Sequence, residues 1–212
     1  MLRSLVGSEM CIRDRHRPMG QTGDMTLIYS PETLDFIQQS MNYLALLDPE
    51  VTPRWTRETV RESRDTLAAV YAAATRLPDL DPSLFFGELE HLVEEEDYER
   101  VRRRYERFFA DRDLFPDALN EQMQYSERPI NVSLSELLAD LFQALADIVW
   151  VYRQQNEETM VQSIAEARYA FDHEWGEKLA AVLRRLHLLL SDPDFMPLEM
   201  PDDEDDLSSY DE

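Results

Sequence analysis

Lysine is almost missing from this chain. Lys178 is the only one, and every other basic side chain among the 21 Lys and Arg is arginine. Coding bias alone produces such a skew, so no function follows from it. Cysteine occurs once, at Cys11, which excludes an internal disulfide and points to a reducing, cytoplasmic setting. Glycine occurs five times in 212 residues, too few for the glycine-rich loops that cradle nucleotide phosphates. No apolar run approaches the ~20 residues that span a bilayer. G-x-S-x-G and H-E-x-x-H are both missing, so neither a nucleophile elbow nor a zincin helix is encoded.

Positive charge is the scarcer sign, and the formal net charge is -23. The segment Glu199 to Glu212 alone carries eight acids and no base. A chain this acidic lacks the lysines and arginines that displace phosphate counterions, which argues against nucleic acid. It also disfavours anionic membrane surfaces; it permits a basic protein partner, although acidic surfaces more often serve solubility alone.

Leu, Ala, Glu and Arg are abundant, and no stretch sustains strand alternation. The expected fold is all-α, an irregular bundle of five to six helices in a single domain. Residues 1–24 are expected to be non-native or disordered. Met1 to Arg15 reads like translated adapter sequence, which moves the native start to Met19 or Met25 and Cys11 out of the protein. Thiol catalysis and thiolate zinc sites are then excluded. The all-α domain is expected over 25–196, with a disordered acidic tail over 197–212.

The most informative stretch is Met123 to Tyr152. Ser133 followed by Glu136 forms a capping box, and Pro129 upstream blocks an earlier start. Leu134, Leu137, Leu141, Leu145, Ile148 and Tyr152 recur at helical spacing. Leu138, Phe142, Ala146, Val149 and Trp150 widen the apolar surface nearly all round, as in a helix enclosed by neighbours. One polar line interrupts it: Glu136, Asp140, Gln143 and Asp147. That line is either a solvated window or a row of buried carboxylates in need of partners.

Other helices follow from their caps. Ser30-Pro31-Glu32 starts one that ends at Asp48-Pro49. Thr56 caps a second, running to about Leu77. Asp81-Pro82 suggests a short helix to Leu92, and Glu94 to Asp97 opens an arginine-rich one. There the acids lead and the arginines follow, which gives a charge-paired, solvated face and not a phosphate site. Its buried stripe is Tyr98, Val101, Tyr105 and Phe108. Asp111 to Arg128 is looser, with a short helix around Ala118 to Gln124. After Asn156 one long helix is expected to Leu190, kinked at Gly176, where glycine costs about 1 kcal/mol against alanine.

The segments EEEDYERVR (Glu94 to Arg102), MQYSERPI (Met123 to Ile130), SELLADLFQALADIV (Ser135 to Val149) and FDHEWGEKLAAVLRRLHLLL (Phe171 to Leu190) resemble the bacterial domain of unknown function 5063. The resemblance covers roughly Ile28 to Leu190. It implies an α-helical, cytoplasmic bacterial protein and carries over no catalytic residue.

Candidate chemistry is sparse. Glu88-x-x-His91 is a single di-iron-type spacing, and Glu94 with Asp97 a single pyrophosphatase-type pair, each close to chance. The strongest constellation pairs the polar line with the final helix, where Glu166, His173 and Glu177 share a face. The competing reading is a set of ion pairs, among them Arg168 with Asp147. Tyr125, Trp150 and Trp175 are candidate partner-binding residues. The leading expectation is a non-enzymatic interaction or adaptor module with no cofactor. The alternative is a divalent-metal-binding bundle with phosphate-ester or nucleotide hydrolase activity, its ligands drawn from Glu136, Asp140, Asp147, His173 and Glu177.

Overall fold

Ser30 accepts a hydrogen bond from the backbone N–H of Thr33, and Pro31 fills the first helical position. These start α1 (Pro31–Leu46). Thr56 and Thr59 form a reciprocal capping box that starts α2 (Arg57–Ala74). The structure is a computed structural model that describes residues 26–48, 52, 54–79, 89, 91–117 and 128–197. Next come α3 (Glu95–Phe109), strands β1 (Leu114–Asp117) and β2 (Ile130–Ser133), and α4 (Leu134–Arg153). The last elements are α5 (Glu157–Ala170), a π-helical turn (Phe171–Trp175) and α6 (Gly176–Ser191). Among the described residues the fold is therefore all-α apart from one two-stranded antiparallel ribbon.

Helix α4 is the centre, as its near-continuous apolar surface predicts. It packs against α1, α3, α5 and α6, while α2 closes the bundle against α1 and α6. Leu134, Leu138, Leu141, Leu145 and Ile148 are buried along it. Aromatic rings fill the end near α3: Trp55 meets Tyr105 at 4.6 Å and Phe108 edge-on at 5.4 Å. Arg104 is buried there, a correction to the reading of α3's arginines as a solvated face. It donates to the carbonyls of Leu47 and Thr52 and stacks over Trp55 at 4.3 Å. Arg100, Arg102 and Arg103 do form the expected pairs with Asp97, Glu99 and Glu106.

The start of α4 differs in its partners. Ser133 accepts from the Glu136 N–H at 3.1 Å, as the capping box requires. The preceding N–H groups of the first turn are taken by Asp113, however, and not by the Glu136 side chain. The Asp113 carboxylate accepts from the Ser135 N–H at 2.7 Å, and its carbonyl accepts from the Leu134 N–H at 3.0 Å. Asp113 is placed there by the ribbon, whose register sets Leu114 opposite Ser133 and Asp117 opposite Ile130. Four-residue strands are too short to show alternation, which is why the sequence hides them.

Two further expectations are corrected. Leu89, His91, Leu92 and Val93 are not helical, so no helix reaches Leu92; the rest of Asp81 to Leu92 after Leu80 lies outside the described residues. The expected helix over Ala118 to Gln124 also lies outside them. The final helix is continuous from α5 to α6, but the irregularity at Gly176 is a π-turn. The Gly176 N–H bonds to the Phe171 carbonyl five residues back. A Cβ at Gly176 would overlap that same oxygen, so glycine is what lets the turn widen.

A charged cleft between α4 and the final helix

The polar line on α4 descends from solvent into the protein. Glu136 is exposed, Asp140 and Gln143 are half-buried, and Asp147 is buried. Asp147 is surrounded by donors. Its Oδ1 accepts from the backbone N–H groups of Leu92 at 2.7 Å and Val93 at 2.9 Å. His91 Nδ1 lies 3.0 Å from Oδ2. The segment preceding α3 is thus pinned to α4 by one carboxylate. The expected pair of Asp147 with Arg168 is not formed; Arg168 meets Asp79 and Asp172, each at 3.2 Å.

Asp140, two turns earlier, has a different setting. It accepts from the Tyr98 hydroxyl at 2.9 Å and from Lys178 Nζ at 2.5 Å. Burial pushes the Tyr98 phenol well above its ordinary range, and the bond to Asp140 pushes it further. Tyr98 therefore stays a hydroxyl donor toward Asp140 through the neutral range.

Asp140, Asp147, His91 and Lys178 line a cleft of about 610 Å³. One wall is α4, with Asp140, Gln143, Ala144, Asp147 and Ile148. The facing wall is Glu166, Tyr169 and Ala170 from α5, Glu174 and Trp175 from the π-turn, and Lys178 from α6. Leu89 and His91 complete it. Trp175 is buried, and its indole N–H meets no acceptor among the described residues.

The π-turn decides which side chains reach this wall. An uninterrupted α-helix would align Glu166 with His173 and Glu177. The wider turn delays the phase by about one residue, so Glu174 and Lys178 take those places. His173 and Glu177 are exposed and outside the cleft. His173 donates from Nδ1 to the Tyr169 carbonyl at 2.8 Å and stacks on the Tyr169 ring at 4.3 Å.

Glu136, Asp140, Asp147, His173 and Glu177 are consequently not brought together. Asp140 and Asp147 share the cleft, Lys178 is bonded to Asp140, and the other three residues lie elsewhere. Among the described residues, no three His, Cys, Asp or Glu side chains gather as a metal would need. Of the aromatic candidates, Trp175 lines this cleft, while Tyr125 lies outside the described residues. Trp150 is half-buried in a second groove of about 670 Å³ with Arg100, Arg104 and Arg153. Glu174 and Lys178 are cleft residues that sequence reasoning missed, and His91 was raised only for a di-iron-type spacing with Glu88. Glycine at 176, inside an otherwise strong helical pattern, was the available sign that the helix phase would slip there.

The fold and the cleft define an all-helical protein built around one enclosed helix, with a mixed-charge cavity on its flank. The chain belongs to the family described as domain of unknown function (DUF5063), whose family model matches residues 27–192. It is similar to protein BF1032 from Bacteroides fragilis, known from a crystal structure. The two are 26% identical, the match covers 76% of this chain and 93% of that one, and the TM-score is 0.63. Among curated proteins, none matches the chain. No helix among the described residues is long and apolar enough to cross a membrane.

Proposed function

We propose that the protein is a non-enzymatic cytoplasmic interaction module whose cleft receives a basic segment of a partner protein. The observation that carries this reading is the composition of the cleft. The carboxylates of Asp140, Asp147, Glu166 and Glu174 line it, with Lys178 and His91 as its basic groups, over a surface of Ala144, Ile148, Ala170 and Trp175. Carboxylates gathered in a concave, partly apolar site concentrate negative potential and attract a cation with an apolar stem. The volume suits one or two side chains of an extended segment.

The test is calorimetric titration of the full chain with a short arginine-containing peptide, acetylated and amidated at its ends. Binding is expected to weaken with added salt. A Glu166→Gln, Glu174→Gln double variant should bind about tenfold more weakly, equivalent to about 1.4 kcal/mol. Equal binding by the double variant, or equal binding of an acidic peptide of the same length, would overturn the reading.

A further inference from the structure

Asp140 and Asp147 differ in how firmly their partners are held, and the difference assigns a role to the protein's one lysine. Asp147 is buried and takes three donors, two of them backbone N–H groups that cannot swing away. Its acceptor capacity is committed to the fold. Asp140 is 32% exposed and takes two donors. Tyr98 is a rigid ring on α3, whereas Lys178 reaches Asp140 with a flexible stem that is itself 43% exposed. An ammonium on such a stem is a point charge that rehydrates readily. It is the one donor at Asp140 that can leave without disturbing a helix.

We propose that Lys178 is a built-in stand-in for the ligand's cation, held at Asp140 in the free protein and displaced when a guanidinium enters the cleft. The proposal rests on the reading of the cleft as a cation site and deepens it to one side-chain class. A guanidinium presents a planar fork that can bond both oxygens of a carboxylate, which an ammonium does not match. An arginine side chain therefore wins the exchange where a lysine side chain gains little over Lys178 itself. The displaced ammonium has a near destination. Glu174 lines the same wall of the cleft as Lys178. Trp175 lines the same wall and offers the stem of an entering arginine an apolar surface.

The test is a double-mutant cycle with the arginine peptide, titrated into the full-length protein and into Lys178→Met, Asp140→Asn and the combined variant. Lys178→Met keeps the stem and removes the competitor, so affinity should rise about tenfold. Asp140→Asn should lower it, and adding Lys178→Met to Asp140→Asn should restore nothing. A matched lysine peptide should bind the unaltered protein several-fold more weakly than the arginine peptide, with the gap persisting in Lys178→Met. Thermal unfolding of each variant checks that the fold is intact, and Lys178→Gln repeats the test if Lys178→Met proves unstable. Unchanged or weaker binding by folded Lys178→Met, with binding still lost in the Glu166, Glu174 double variant, would overturn the stand-in role and leave the cation site standing. Absence of binding to every form, Lys178→Met included, would overturn both.

Discussion

Asp147 and Asp140 lie on one stripe of one helix, yet they are different chemical objects. Asp147 completes the hydrogen bonding of two backbone N–H groups, of Leu92 and of the buried Val93. Asp147→Ala should therefore cost about 3 kcal/mol, because it leaves buried donors unpaired. Asp140→Ala should cost about 1 kcal/mol or less, since it breaks a partly solvated pair whose partners can rehydrate. Urea unfolding of the two variants measures the contrast, and equal losses would mean that the Asp147 contacts add no more than a surface pair. The sequence supplied the stripe through spacing alone. It could not supply depth, because depth depends on the segment before α3, whose own residues show no helical or strand period. Arg104 has the same cause: its neighbours on α3 pair locally, and only the turn after α1, far away in sequence, buries it.

At the scale of elements, the π-turn has the largest consequence for the cleft. Periodicity carries straight through Phe171 to Trp175, so the apolar side of the final helix is legible. Trp175, Leu179, Val182 and Leu186 are buried as the spacing predicts. The polar side is not legible, because one extra residue per turn exchanges His173 and Glu177 for Glu174 and Lys178. The physical requirement is at Gly176, where any side chain would meet the Phe171 carbonyl. In an ordinary helix Gly→Ala stabilises by about 1 kcal/mol. Gly176→Ala should instead destabilise by about 2 kcal/mol, the scale of an overpacked core. The sign of the change in chemical unfolding is decisive: a stabilised variant would mean that the turn does not need glycine. The β ribbon was hidden for a different reason, since its two strands are each a single short pairing segment fixed by Asp113 and the start of α4.

At the scale of the whole molecule, the all-α class and the central place of α4 were legible because both depend on composition and on one strongly periodic segment. The same core predicts the alkaline limit of stability. Burial raises the phenols of Tyr43 and Tyr105, whose oxygens are 3.1 Å apart, and burial with the Asp140 bond raises Tyr98. The folded protein then holds protons that the unfolded chain would release near the ordinary tyrosine value of 10.0. Stability from these groups is complete below about pH 10 and falls as pH rises above it. Tyrosinate absorbance followed alongside circular dichroism should show some of the nine tyrosines ionising only as helix is lost. Complete ionisation near pH 10 with the helices intact would contradict the packing.

The central claim concerns where a basic segment binds, and the indole resonances report it most directly. Trp55, Trp150 and Trp175 supply three indole N–H signals, one in the aromatic core, one in the arginine-lined groove and one in the acidic cleft. Titration of the arginine peptide into isotope-labelled protein should move the Trp175 signal, assigned with Trp175→Phe, because that ring lines the cleft. The backbone signals of residues 143–148 and 170–178 should move with it, while Trp150 stays fixed. A shift confined to Trp150 and its groove, or no shift at peptide concentrations that give heat on mixing, would contradict the account.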